Sequence, residues 1–346
     1  MKRSEAIKRK KDLTADRKPA SMMKKIVIIL MKAVAVLAIL AAVFLAIVFI
    51  VDKVATKSEQ AKIQSYGQFV LVDGKRMNAV IQGTGEETIV LLPGFGTAAP
   101  GLDFKPLVEE LSPYYKVVVI EPFGYGLSDQ TKKERTTENI VSEIHQALQS
   151  LQIDRYILMG HSISGIYGLD YVNKYENEVT AFVGLDSSVP TLSEQKVDSS
   201  TLGALSLLKK IGFTRMYVKL GEDPYSALPY DAETKEQMRM LGLKNMLNPN
   251  QLNEIEMMPT NFKAAESLTF PKNLPVVFFI QANHPVADRW LPEHEAQIKD
   301  SVYGKMITFE ANHYLYRTEA KEIAENFRVF MEEINEEAVA ITDEGE

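Results

Sequence analysis

The sequence predicts an α/β fold, a mostly parallel sheet with helices on both faces and an inserted helical cap, carried behind one N-terminal transmembrane helix. Three observations lead there. Nineteen apolar residues run without a break over 33–51. Beyond residue 65, short apolar runs alternate with helical patterns, as parallel strands joined by crossover helices require. The alternation then lapses over residues 190–270 and resumes after them, the mark of an insertion in a sheet.

The apolar run comes first along the chain. It is preceded by apolar residues 26–31 and interrupted only by Lys32. Nineteen residues at 1.5 Å each span about 28 Å, close to the hydrocarbon thickness of a bilayer. A cleaved signal peptide is the alternative, but its apolar region is shorter, roughly 7–15 residues, and Asp52-Lys53-Val54-Ala55 is a poor cleavage site. Residues 1–25 hold ten Lys or Arg against three acids. That excess, lying before the helix, places the N-terminus in the cytoplasm and the body outside, with the basic residues near lipid headgroups. The whole chain carries −7, so the residues after the span are strongly acidic, which argues against a nucleic-acid partner for the body. A lipid bilayer is the partner expected for residues 26–51.

After a polar link, Gln68–Val72 and residues 76–82 read as strands joined at the hairpin dipeptide Asp73-Gly74, and residues 83–87 turn the chain into Thr88–Leu92. Strand-like 116–120, helical 137–151, strand-like 156–159, helical 166–175 and strand-like Val179–Leu185 follow. Residues 190–270 read as short helices rich in methionine, before 275–280 and 306–309 restore strands. The organisation expected is a basic head (1–25), a transmembrane helix (26–51), a linker (52–64), a core in two pieces (65–189 and 271–332), a cap (190–270) and an acidic, solvated tail (333–346). At 346 residues, 46% hydrophobic and 25% charged, the chain has enough apolar residues for a large core. It has no cysteine, which removes disulfides, thiolate metal sites and a cysteine nucleophile together. The five histidines are too scattered for a metal site of the HExxH kind.

The chemistry concentrates where strand 156–159 meets a helix. Gly160-His161-Ser162-Ile163-Ser164-Gly165 has the strand, sharp turn and helix of a nucleophile elbow, with Ser162 at the tip. Strained backbone at the tip requires small residues two before and two after it, here Gly160 and Ser164. Leu91-Leu92-Pro93-Gly94-Phe95-Gly96 follows the third strand, where a backbone amide is needed to hold the negative oxygen of a tetrahedral intermediate. Phe95 and Ile163 would supply the two donors. Glu121-Pro122-Phe123-Gly124-Tyr125-Gly126-Leu127-Ser128-Asp129 follows the fourth strand, and Asn312-His313-Tyr314 follows the last.

In this order, these motifs make the chain resemble the α/β-hydrolase family over about residues 65–332. It departs from the family at Pro93, where His is usual, at Glu121, where Asp is usual, and at Asn312, where Gly is usual. The resemblance implies an α/β-hydrolase fold and a Ser, acid, His triad in chain order: Ser162 as nucleophile and His313 as base. His161 would pack beside the site, while His145 and His294 read as surface residues. The acid usually follows the strand here spelled 275–280, yet that loop offers no carboxylate before Asp288. Some members carry it at the end of the preceding strand, where Asp186 stands; Asp186 is favoured, with Asp288 and Glu293 as alternatives. An aspartate in that place also serves as a loop cap without catalytic duty.

A serine at the elbow, in place of an aspartate, points away from dehalogenases and epoxide hydrolases and toward acyl transfer to water. No metal or organic cofactor is needed. The function expected is therefore a membrane-anchored, extracytoplasmic serine hydrolase of small-molecule esters. Two alternatives stand beside it: a prolyl-aminopeptidase-like peptidase, with Glu194 or Glu222 holding a substrate amine, and a non-catalytic binding member of the fold.

Overall fold

The sheet begins with a hairpin. Asp73 and Gly74 both take positive φ, 51° and 73°, which turns Gln68–Val72 (β1) back along Lys75–Gln82 (β2). In this computed structural model, which describes residues 17–191, 198–285 and 287–343, the described residues build one eight-stranded sheet of order β1-β2-β4-β3-β5-β6-β7-β8. Here β3 is Thr88–Leu92, β4 Lys116–Glu121, β5 Tyr156–His161, β6 Val179–Leu185, β7 Val276–Gln281 and β8 Gly304–Phe309. β2 pairs antiparallel with its neighbours and every pair from β4 to β8 is parallel.

The central strands are apolar on both faces because helices cover both, and alternate residues sort to opposite sides. Val90, Leu158, Phe182 and Phe278 meet the helix Thr137–Ser150 and its neighbours, while Leu91, Met159, Val183 and Phe279 meet the pair formed by Lys105–Leu111 and the C-terminal helix. The chain leaves β3 for β4 on one side and returns to β5 on the other. The carboxyl ends of β3 and β5 therefore flank the point where strand order reverses, where ligands gather in open α/β sheets.

The helices, in chain order, are Arg17–Gln60 (α1), Pro100–Asp103 (α2), Lys105–Leu111 (α3), Thr137–Ser150 (α4), Ser164–Lys174 (α5), Ser199–Lys210 (α6), Phe213–Leu220 (α7), Ala232–Asn245 (α8), Pro249–Ala265 (α9), Ala287–Ile298 (α10) and Ala320–Asp343 (α11). The run α6 to α9 stands between β6 and β7. Helix α1 is long and apolar enough to cross a membrane, and its apolar side chains from Met22 to Val51, the half-buried Val48 excepted, are exposed, unlike those of a buried core helix.

Two boundaries differ from expectation. Helix α1 does not stop near Val51 but continues to Gln60 through the stretch expected as a linker. Asp52, Thr56 and Glu59 share one face of that extension, and the guanidinium of Arg215 on α7 binds all three at 2.7–3.0 Å. The acidic end is likewise helical as far as Asp343, since Glu and Ala extend a helix readily. Residues 1–16 of the basic head, residues 344–346 of the tail and Glu194 lie outside the described residues.

Beneath α9, Arg135 and Glu143 form an ion pair at 2.7 Å, with each side chain 1% exposed. Breaking a buried pair strands a charge, so Arg135→Met is expected to reduce stability by about 3–5 kcal/mol. Lys263→Ala, which removes the exposed partner of Glu266, should change it by at most about 1 kcal/mol. Urea unfolding in detergent compares the two; equal losses would contradict this reading of the Arg135 pair.

Candidate active site

Strand β5 is buried along its whole length and ends at His161. The next residue, Ser162, takes a left-handed φ of 54°, strained for a residue with a side chain. The turn is tight: a Cβ on Gly160 would lie 2.9 Å from the Ser164 carbonyl oxygen. The Ser162 carbonyl accepts from the amides of Gly165 at 2.8 Å and Ser188 at 2.7 Å, which fix the tip between α5 and the loop after β6.

Three side chains meet there. His313, in the loop after β8, places Nε2 2.9 Å from Ser162 Oγ and Nδ1 2.6 Å from Asp186 Oδ2. Because the carboxylate only accepts, Nδ1 carries the imidazole proton and Nε2 is left to accept from the serine hydroxyl. Asp186 directly follows β6, fully buried and at a positive φ of 43°. Its other oxygen, Oδ1, accepts from the Gln281 amide and the Trp290 indole, both at 3.0 Å. Burial alone would push this carboxyl up; the hydrogen bond and charge of His313, with the Gln281 and Trp290 donors, outweigh it and hold the group below the usual carboxylate range.

Asp288 is exposed on the first turn of α10, and Glu293 lies farther along the same helix. The last residue of β7 and helix α10 thus contribute hydrogen-bond donors to Asp186. His294, expected at the surface, is fully buried: its ring nitrogens face the Trp290 and Ser187 carbonyls at 2.7 Å and pin α10 beside the Asp186 turn. His145 is half-buried, stacked on Tyr175 and bonded to Glu178. His161 packs beside the site with Nε2 at 3.0 Å from the His313 carbonyl, and burial followed by the charge of His313 pushes it down to about 3.

The loop after β3 lies against the elbow. A Cβ on Gly94 would sit 2.9 Å from the Ser162 Cβ and 2.5 Å from His161 Nδ1, so only glycine permits this approach. The Ser164 hydroxyl donates to the Pro93 carbonyl at 2.6 Å and ties loop to helix. Phe95 follows directly, and Ile163 caps α5, where the first amides of a helix lack partners within it.

The positions that depart from the family pattern have local duties. The buried Glu121 carboxylate accepts from Tyr66, Asn78, Gly101 and Leu127 and holds the loop after β4, and a Cβ on Gly126 would collide with it. Asn312 accepts from the Tyr314 amide at 2.9 Å and closes the turn around His313.

One residue near the site had no sequence signal. Glu254 on α9, 3% exposed, accepts from Tyr125 and Tyr167, each at 2.7 Å, and the Tyr125 hydroxyl in turn accepts from the Gly96 amide at 3.4 Å. A carboxylate from the inserted helices is thereby linked to the loop beside Ser162. Burial raises its pKa, though both tyrosines favour the charged form. Glu222 is exposed on the rim of a cavity between α7 and α8. Among the described residues, no group of three or more histidine, aspartate or glutamate side chains is placed to hold a metal ion.

Comparison with known proteins fits this geometry. A family model described as alpha/beta hydrolase fold matches residues 87–290. A Bacillus subtilis (strain 168) protein, "Uncharacterized protein YbdG", is 31% identical over 237 residues, 66% of this chain and 73% of its own length. Among solved structures, an esterase from Exiguobacterium antarcticum superposes with a TM-score of 0.58 at 17% identity, over 77% of this chain and 99% of that one. An epoxide hydrolase from Vigna radiata gives the same score and identity over 77% and 97%. Two chemistries score alike, so at this identity the likeness speaks for the fold alone.

Proposed function

The chain belongs to the α/β-hydrolase fold family, and from that premise we propose that it is a serine hydrolase cleaving a carboxylic ester through an acyl-enzyme, anchored in a membrane by α1. The observation that carries this is the continuous hydrogen-bonded series Ser162 Oγ, His313 imidazole and Asp186 carboxylate.

His313 Nε2 takes the proton as Ser162 Oγ attacks the ester carbonyl, and Asp186 stabilises the imidazolium that results. The amides of Phe95 and Ile163 hold the oxyanion. As the intermediate collapses, the imidazolium gives its proton to the departing alcohol and leaves an acyl-Ser162 ester. Water, deprotonated by His313, then attacks that ester, the acid departs, and Ser162 recovers its proton. Net, one water is consumed and one alcohol and one acid are released.

The orientation follows from the basic residues ahead of the span: head in the cytoplasm, hydrolase body outside. Protease added to intact cells should remove the body and spare a tag at Met1; a protected body would reverse the orientation. Purified protein should hydrolyse soluble short-chain esters and leave N-terminal prolyl amides and epoxides untouched. Turnover of either in place of esters would overturn the reaction assigned.

A further inference from the structure

Helices α6 and α7 meet α1 at an unexpected depth. Asp52, the first ligand of Arg215, directly follows the last residue of the apolar run, Val51. The corner between α6 and α7 reaches lower still. A Cβ on Gly212 would lie 3.0 Å from the Val48 carbonyl oxygen, and the Phe213 ring meets the Phe44 ring edge-on with centroids 6.2 Å apart. Phe44 lies seven residues before Val51, about 10 Å farther into the span at 1.5 Å per residue. If α1 crosses a membrane with its apolar run in the hydrocarbon, this corner cannot stay in water.

The surface around the corner suits that placement. Leu207 and Leu208 on the last turn of α6 are 57% and 41% exposed, and Tyr217 and Leu220 on α7 are both 79% exposed. Lys210 and Lys219 are exposed on the same two helices, where anionic headgroups would meet them. A cavity of about 450 Å³ opens between α7 and α8, walled by Tyr217, Val218, Tyr225, Leu243 and Met246, a volume ordinary for a small-molecule site. Its far wall includes Gly242, whose Cβ, if present, would lie 3.9 Å from that of Ala98, three residues past Phe95. The cavity thus lies between the helix at the membrane and the loop beside Ser162.

We propose that the α6–α7 corner is embedded in the membrane surface layer on the body's side of the span, and that the ester cleaved belongs to a bilayer lipid. The second half rests on the ester-hydrolase reading above; the first does not. Arg215 locks the corner to α1, so the cavity between α7 and α8 is held where lipid esters are concentrated, without any movement of the body.

The absence of cysteine allows a direct test on the full chain in vesicles of equal phosphatidylcholine and phosphatidylglycerol. Leu208→Cys carries a polarity-sensitive fluorophore, and Tyr114→Cys, exposed just before the amino end of β4 and so across the sheet from the carboxyl ends that hold Ser162 and Asp186, is the control. Nitroxide lipids should quench the label at 208 and spare the label at 114; equal, weak quenching at both overturns the docking. L207D/L208D should keep soluble-ester turnover within about twofold and lower fatty-acid release from the phosphatidylglycerol by about tenfold. Undiminished lipid hydrolysis in that variant overturns the role given to the corner in presenting the lipid, and a wild type active on the soluble ester alone overturns the lipid substrate. A wild type inert on both esters sinks the hydrolase reading and the lipid substrate with it, while the quenching still decides the docking.

Discussion

Ser162→Ala is expected to abolish labelling by a fluorophosphonate probe and to reduce ester turnover on the order of a thousandfold or more, the loss typical of removing a nucleophile from a triad. The geometry makes Ser162 the hydroxyl at risk: it stands at the strained tip of the elbow with His313 Nε2 at 2.9 Å. Ser164 is the control. It is 1% exposed and its hydroxyl is already donated to the Pro93 carbonyl, so Ser164→Ala should still be labelled. Loss of labelling in Ser164→Ala with retention in Ser162→Ala would mean that the nucleophile has been placed on the wrong serine.

Asp186→Asn carries the second large effect expected. The asparagine keeps the shape and the bonds from Gln281 and Trp290 only if its oxygen occupies the Oδ1 position. Its NH₂ group then faces His313 Nδ1, which must accept, and the imidazole proton moves to Nε2 opposite the serine hydroxyl. That is the wrong tautomer for a base, and in serine proteases the same exchange costs about 10⁴ in turnover. Asp288→Asn should cost less than about tenfold, because Asp288 is exposed on α10 while Asp186 holds the bond to His313. Circular dichroism on both variants separates lost chemistry from lost fold. A severe loss in Asp288→Asn with near-full activity in Asp186→Asn would move the acid to the segment after β7.

Features that depend on neighbours in sequence were the legible ones. The Asp73-Gly74 hairpin, the apolar strands and the small residues around Ser162 each state a local backbone demand, and the structure meets it with positive φ at Asp73, Gly74 and Ser162. Features set by a distant partner were hidden. Residues 52–60 read as a polar link because Arg215, which organises them into helix, lies more than 150 residues away. His294 sits in a charged stretch and reads as exposed until the Ser187 carbonyl is seen against its ring. Glu254 and Glu256 look alike in the sequence; only one meets two tyrosine hydroxyls. The acid was legible as a choice between Asp186 and Asp288, and what separates them in the structure is the 2.6 Å approach of a loop 127 residues further on.

The central claim is a covalent acyl-enzyme at Ser162, and trapping it is the direct measurement. Protein quenched in acid during turnover of a slow ester, then digested and analysed by mass spectrometry, should yield the Ser162 peptide heavier by the mass of the acyl group. The mass should be absent from the same peptide of Ser162→Ala. Sustained ester turnover with no acylated peptide, or with the acyl group on another residue, would contradict the account.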